Sequence, residues 1–188
     1  MTIYYFIYKI LLINNIFLIL KDKYYCLRYI FKVVRKKLIP DITTEVLKFG
    51  FGHLGVASKQ LRTRHVDTYG TKFSNTDNTI TCFIEESNSA DFIKFLKETK
   101  RVSFFVALLS HESYNFKGKF LFSSVLKEED LQITKIYLEN AIKNVKSLGL
   151  PDELVEKAYN KSPDLSITFE VQKVFVQTPG PNAGNEIK

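Results

Sequence analysis

From Leu165 to Val171 apolar and polar residues alternate without a break, with Leu165, Ile167, Phe169 and Val171 set against Ser166, Thr168 and Glu170. A period of two puts one set on each face of a strand, so this segment belongs to a sheet with one face on a core. After Gln172 the phase slips, because Val174 and Val176 are the next apolar residues. A one-residue slip turns every later side chain to the opposite face unless an extra residue is accommodated, which predicts a bulge near Gln172–Lys173. A strand so committed needs partners upstream in the chain.

Those partners are legible. TITCFIEE (79–86) sets Ile80, Cys82 and Ile84 against Thr79, Thr81 and Phe83, the pattern of a half-buried strand. HLGVAS (53–58), LRTRHVDTYGTKF (61–73) and SYNFKGKFLFSSVL (113–126) are strand-like, and SNTDN (74–78) has the composition of a turn. RVSFFVALL (101–109) is continuously apolar and is expected to be a strand buried on both faces. Between these lie helical signals. Val46, Leu47 and Phe49 form one turn stopped by Gly50, and Ser87 or Ser89 caps a helix to about Thr99 with Phe92, Phe95 and Leu96 on one face. Glu128, Glu129 and Asp130 place negative charge at the start of a long helix, where the dipole favours it. Its expected apolar face is Leu131, Tyr137 or Leu138, Ala141, Ile142 and Val145, with Gly149 as terminator, and Pro151 opens a short second helix. The last segment, QTPGPNAGNEIK, reads as a rigid tail without a strand. About six strands with three inserted helices and no βαβ regularity predict a mainly β fold, an antiparallel barrel with peripheral helices.

Charge divides the chain. Of the 27 Lys and Arg, eight fall in residues 1–38, against one of the 20 acids, and the remaining 19 of each sign balance in residues 39–188. The body is neutral, so it lacks the basic domain face that nucleic-acid binding needs. Residues 1–38 are a basic, apolar extension with three open readings: a weak membrane anchor, an extra packing segment, or translated upstream sequence in front of a start near Leu38 or Ile39. The apolar run Ile3–Leu20 is interrupted by Lys9, Asn14 and Asn15, which weighs against insertion, and Met1 is the only methionine. Residues 39–188 are expected to carry the function. Two cysteines in unlike contexts make no disulfide framework and set a reducing, cytoplasmic compartment as the default, with Cys82 a core residue.

Motif chemistry is sparse. There is no P-loop, no G-x-G-x-x-G, no H-E-x-x-H and no paired C-x-x-C, and His53, His65 and His111 have no ligand spacing around them, so no metal is expected. Ser110-His111-Glu112 reads as a polar turn, since adjacent residues point apart and cannot form a relay. The informative segment is the one carrying Arg62, Arg64, His65 and Asp67. Arginines two apart on a strand share a face and can hold a phosphate, although a solvated strand edge has the same pattern. Lys117-Gly118 adds a cation beside a residue that lets backbone come close.

Taken in order, HLGVAS, the arginine strand ending in Gly-x-Lys, TITCFIEE, a helix, RVSFFVALL, SYNFKGKFLF, the acidic-start helix and VFVQTPGPNAG resemble the pyridoxamine 5′-phosphate oxidase-related proteins of the FMN-binding split-barrel superfamily, in a subgroup with a QTPGP-x-AG tail. The resemblance spans roughly residues 45–188, and Tyr114–Gly118 and Gln177–Gly184 are its most specific pieces. It implies a split β-barrel that dimerises around FMN, with phosphate held by Arg62, Arg64 and His65, then Lys117 and Ser89. The implied function is an FMN-dependent oxidoreductase of unknown substrate and electron donor, with a non-catalytic flavin- or haem-binding module as the alternative. The family's oxidase carries a Trp-containing, arginine-rich C-terminal motif, and this chain has no tryptophan, so the oxidase itself is not implied. No catalytic residue follows from the resemblance.

Overall fold

The computed structural model describes residues 37–188. The readings of the basic, apolar extension fall almost wholly on residues 1–36 and lie outside the described residues. Seven strands run in chain order as β1 (Phe51–Ala57), β2 (Thr63–Thr68), β3 (Thr71–Ser74), β4 (Thr79–Ile84), β5 (Arg101–Ala107), β6 (Ser113–Val125) and β7 (Leu165–Val176). The helices are α1 (Thr44–Phe49), α2 (Ala90–Thr99), α3 (Glu128–Lys146) and α4 (Asp152–Tyr159). The sheet order is β2-β1-β5-β6-β7-β4-β3, with every pairing antiparallel.

The two edge strands, β2 and β3, are neighbours in the chain, and Gly70 makes this possible. It sits at φ +111°, a conformation that a side chain strongly disfavours, and turns a corner in the segment expected to be one strand over 61–73. At the corner the Tyr69 N–H donates to the Phe83 carbonyl at 2.8 Å and the Phe83 N–H to the Gly70 carbonyl at 3.2 Å. These bonds tie the β2–β3 corner to β4, so the sheet closes on itself as an antiparallel barrel with peripheral helices. Closure leaves one interior. Leu54, Ile80, Cys82, Phe104, Phe116, Ile167 and Phe169 are all fully buried there, and Phe92 and Leu96 of α2 plug one end. The Phe104 ring stacks on Phe116 at 6.1 Å and meets Phe169 edge-on at 6.3 Å. Each fully buried Phe contributes on the order of 1.5–3 kcal/mol of transfer free energy.

The predicted bulge is present. Lys117 pairs with Lys173 and Gly118 with Val171, so Gln172 is the extra residue on β7. Three expectations are corrected. β5 is buried on one face only: Val102, Phe104 and Val106 point inward, whereas Arg101 and Phe105 are exposed and Ser103 is half-buried. The buried face of α3 is Asp130, Thr134, Tyr137 and Ala141, and Leu131 is 43% exposed. Asp130 sets this face, because its carboxylate takes the Lys72 ammonium of β3 and the Lys127 N–H at once. The tail is not strandless. It turns at Gly180–Gly184 and runs back along β7, where Val176 N–H donates to Asn185 and Ile187 N–H to Val174, with a bridge between Phe175 and Glu186. It occupies the flank of β7 beyond the point where the pairing with β4 stops, at Glu170. Among the described residues no helix is long and apolar enough to cross a membrane.

Candidate functional site

Register assembles a surface that no local motif announces. Across the outer face, His65 pairs with Gly55, Gly55 with Ser103, Ser103 with Lys117 and Lys117 with Lys173, giving one straight row over five strands. Directly paired residues point to the same side of a sheet. Two residues along, a second row reads Asp67, His53, Phe105, Asn115 and Phe175. α3 packs over the other part of the barrel wall, where a side chain at Gly70 would meet Tyr137 and Ile133. The two rows therefore lie on a part of the wall with exposed side chains, Phe105 among them at 37%.

Over the first row lies a cavity of about 880 Å³. Arg64, His65, Arg101, Lys117 and Lys173 contribute to its walls, and no Asp or Glu does. The cations differ in how far they are committed. Arg64 donates from Nε and Nη2 to Asp91 at 3.3 and 3.2 Å and lies 5.8 Å from the centre of the Phe95 ring, so α2 draws it aside. Lys173 pairs with Glu186 of the returning tail at 3.0 Å. The Lys117 ammonium sits 4.7 Å over the Phe175 ring, a contact that orients it without neutralising it. Arg101 and His65 have no acidic partner among the described residues. Hydroxyls stand beside the cations: Thr63 on β2, and Ser103, whose Oγ bonds the Asn115 side-chain carbonyl at 2.7 Å.

The sequence-derived candidates are distributed unevenly. Arg64, His65 and Lys117 come to this one cavity. Arg62 does not share a strand face with Arg64, because it lies before β2 in the turn closed by the Ser58 N–H on the Arg62 carbonyl and the Arg62 N–H on Ser58 Oγ. Ser89 is buried where α2 begins and donates its hydroxyl to the Glu86 carbonyl, so it neither caps the helix with its side chain nor lines the cavity. Gly118 does allow a close approach, but to β7: a Cβ there would stand 2.2 Å from the Glu170 carbonyl oxygen. Arg101, Ser103, Lys173 and Gly55 were not singled out by sequence. Their signal is the strand pairing itself, which brings β1, β5 and β7 together with β2 and β6.

Cys82 is fully buried, and burial pushes its thiol well above the ordinary range, as suits a core residue. Ser110, His111 and Glu112 form the turn between β5 and β6, with His111 at φ +69° and the Glu112 carboxylate accepting from the Tyr114 hydroxyl. His53 and His65, twelve residues apart in the chain, face each other across β1 and β2 with ring centres 6.4 Å apart.

The residues fit a phosphorylated flavin. Arg101, Lys117 and His65 can meet a phosphate dianion, and the Thr63 hydroxyl can donate to it, while the Ser103 hydroxyl is given to Asn115. Gly55 leaves a notch between His65 and Ser103, since a Cβ there would meet nothing closer than the Ser103 carbonyl oxygen at 3.7 Å. A flat ring can lie on such a floor.

No family model matches the chain, and no curated protein matches it. Solved structures of similar fold include an FMN-binding protein from Syntrophomonas wolfei, 14% identical, with 85% of this chain and 96% of that one covered at a TM-score of 0.46. A pyridoxamine 5′-phosphate oxidase-related, FMN-binding protein from Nostoc punctiforme is 14% identical, with 70% and 76% covered and a TM-score of 0.39. HutZ, the haem storage protein of Vibrio cholerae, is 12% identical, with 75% and 95% covered and a TM-score of 0.39. The architecture assigned above rests on strand order and closure.

Proposed function

We propose that residues 39–188 bind FMN in the outer-face groove and act as a homodimeric flavin-dependent oxidoreductase of the cytoplasm. One observation carries the reading: four Lys and Arg side chains, a histidine and no carboxylate line a groove whose floor is opened by Gly55. A cavity of this volume falls in the range of small-molecule sites. Bound FMN supplies electron and hydride transfer, so the protein's part is to grip, orient and enclose. Arg101 and Lys117 hold the phosphate, Thr63 donates to it, and the Gly55 floor takes the ring. A second copy of the chain, laid over Phe105 and Phe175, would close the groove from above.

The test is direct. Purified protein should be yellow or turn so with added FMN, release FMN on denaturation, and run as a dimer in light scattering. Protein that stays colourless and leaves the fluorescence of added FMN unquenched refutes the proposal. A Soret band in place of a flavin spectrum would move the reading to haem. Flavin that binds but is not reduced by NADH or NADPH would favour a binding module without turnover.

A further inference from the structure

Beside the groove stands a pair of side chains that phosphate binding does not use. His53 on β1 and Asp67 on β2 are directly paired residues, and His53 Nδ1 lies 2.8 Å from Asp67 Oδ1. A carboxylate can only accept here, so Nδ1 carries a proton and Nε2 is the nitrogen left to gain or lose one. Nε2 has no partner among the described residues. Along β1 His53 is two residues from Gly55, on the same face, roughly 7 Å away at the rise of a strand. Its ring is edge-on to His65, which lines the groove.

We propose that His53, positioned by Asp67, takes up a proton when the ligand held in the groove is reduced, balancing the negative charge that reduction leaves there. The inference rests on the FMN reading above. Imidazole is the side chain whose ordinary titration lies near neutrality, and a fixed Asp partner holds its tautomer and offsets the charge that protonation creates. The groups facing His53 are Asp67 and His65 on β2 and the uncharged Phe105 on β5. Beyond Asp67 and His65, Tyr69, Glu85 and Lys161 line a smaller cavity of about 200 Å³ that both residues share. Arg101 and Lys117 lie on the groove side.

The balance is explicit. With FMN bound, two electrons from dithionite or a reduced nicotinamide would leave the flavin with one added proton and one negative charge. His53 takes a second proton from solvent at Nε2, so two electrons bring in two protons. Reoxidation by a two-electron acceptor releases both.

Proton uptake during anaerobic dithionite titration of the FMN-loaded protein tests this, between about pH 5 and about pH 8, the range in which imidazoles in general change charge. Wild type should take up close to one proton per flavin more than His53→Gln. Asp67→Asn should lose part of the extra uptake. His53 does not line the phosphate-binding groove, so FMN affinity of His53→Gln should stay within about twofold of wild type. Equal uptake by wild type and His53→Gln, both with FMN bound, overturns this inference alone. Wild type that binds no FMN overturns the function proposed above and this inference with it.

Discussion

Replacing Gly118 with Ala tests the packing that positions the groove. A Cβ at 118 would lie 2.2 Å from the Glu170 carbonyl oxygen, 3.0 Å from its carbonyl carbon and 2.7 Å from Cδ2 of Phe169. These distances are well inside the optimal separation of about 3.5 Å, and two of the three atoms are β7 backbone that cannot swing away. Phe169 cannot yield either, since it is fully buried against Phe104. Overpacking of this kind costs about 1–3 kcal/mol, and with backbone as the obstacle the upper end applies. Ala recovers about 0.5–1 kcal/mol by restricting the unfolded chain. The net loss is about 2 kcal/mol, or about 4–8 °C in Tm for a domain of this size.

Urea and thermal melts followed by far-ultraviolet circular dichroism measure it, with an unchanged urea slope showing that the unfolding unit is the same. Gly55→Ala is the control. Its nearest neighbour would be the Ser103 carbonyl oxygen at 3.7 Å, so stability should stay within about 0.5 kcal/mol of wild type. The new methyl would fill the notch in the groove floor, so FMN affinity should fall instead. Gly118→Ala melting within about 0.5 kcal/mol of wild type, or Gly55→Ala falling as far, would refute the assignment of one glycine to packing and the other to the site.

Arg101→Ala should weaken FMN binding about tenfold or more in fluorescence titration, the cost of one charge-assisted hydrogen bond, while Arg64→Ala should cost less because Asp91 already holds that guanidinium. Burial pushes Tyr69 and Tyr114 up to about 12, with Asp67 and Glu112 respectively adding to it, and raises Tyr137 and Tyr159 as well. Stability should therefore be intact below the ordinary tyrosine value near pH 10 and be lost as pH rises towards 12, because the unfolded chain ionises first. Phenolate absorbance and loss of circular dichroism should rise together, and full ionisation of the tyrosines in a still-folded protein would contradict this. Cys82 should resist thiol reagents in the native protein and react once urea unfolds it.

The sequence carried strand positions better than strand neighbours. The slip after Val171 located the Gln172 bulge, because a change of phase is local information. β5 misled for the opposite reason: its apolar run suggested two buried faces, yet Phe105 faces the groove side, where the described residues leave it 37% exposed. The α3 face shifted because a buried Asp130, held by Lys72 on a strand 58 residues away, outweighed Leu131. Arg62 was assigned to a strand that begins one residue later, and boundaries of that kind depend on tertiary pairing. His65 and Lys117 are legible as basic residues, but their alignment through Gly55 and Ser103 needs the order β2-β1-β5-β6, which periodicity does not encode.

Charge distribution decides what class of anion the groove suits. Residues 39–188 carry equal numbers of acids and bases, yet the groove walls carry cations alone. The compensating acids stand outside it, as Asp91 beside Arg64, Glu186 beside Lys173, and Glu128 to Asp130 at the start of α3. Adjacent strands lie about 4.8 Å apart, so Lys117 is one strand from Ser103 and His65 two, both within about 10 Å. That is close to the screening length of about 8 Å at physiological salt. A single phosphate held by Arg101 and Lys117 therefore feels its nearest cations with little attenuation. A long polyanion would extend past the rim and meet the flanking acids, and a neutral body gives it no long-range attraction. FMN affinity should accordingly fall only gently with salt, as one bound dianion requires, and a steep slope typical of many phosphate contacts would assign the groove to a polymer instead.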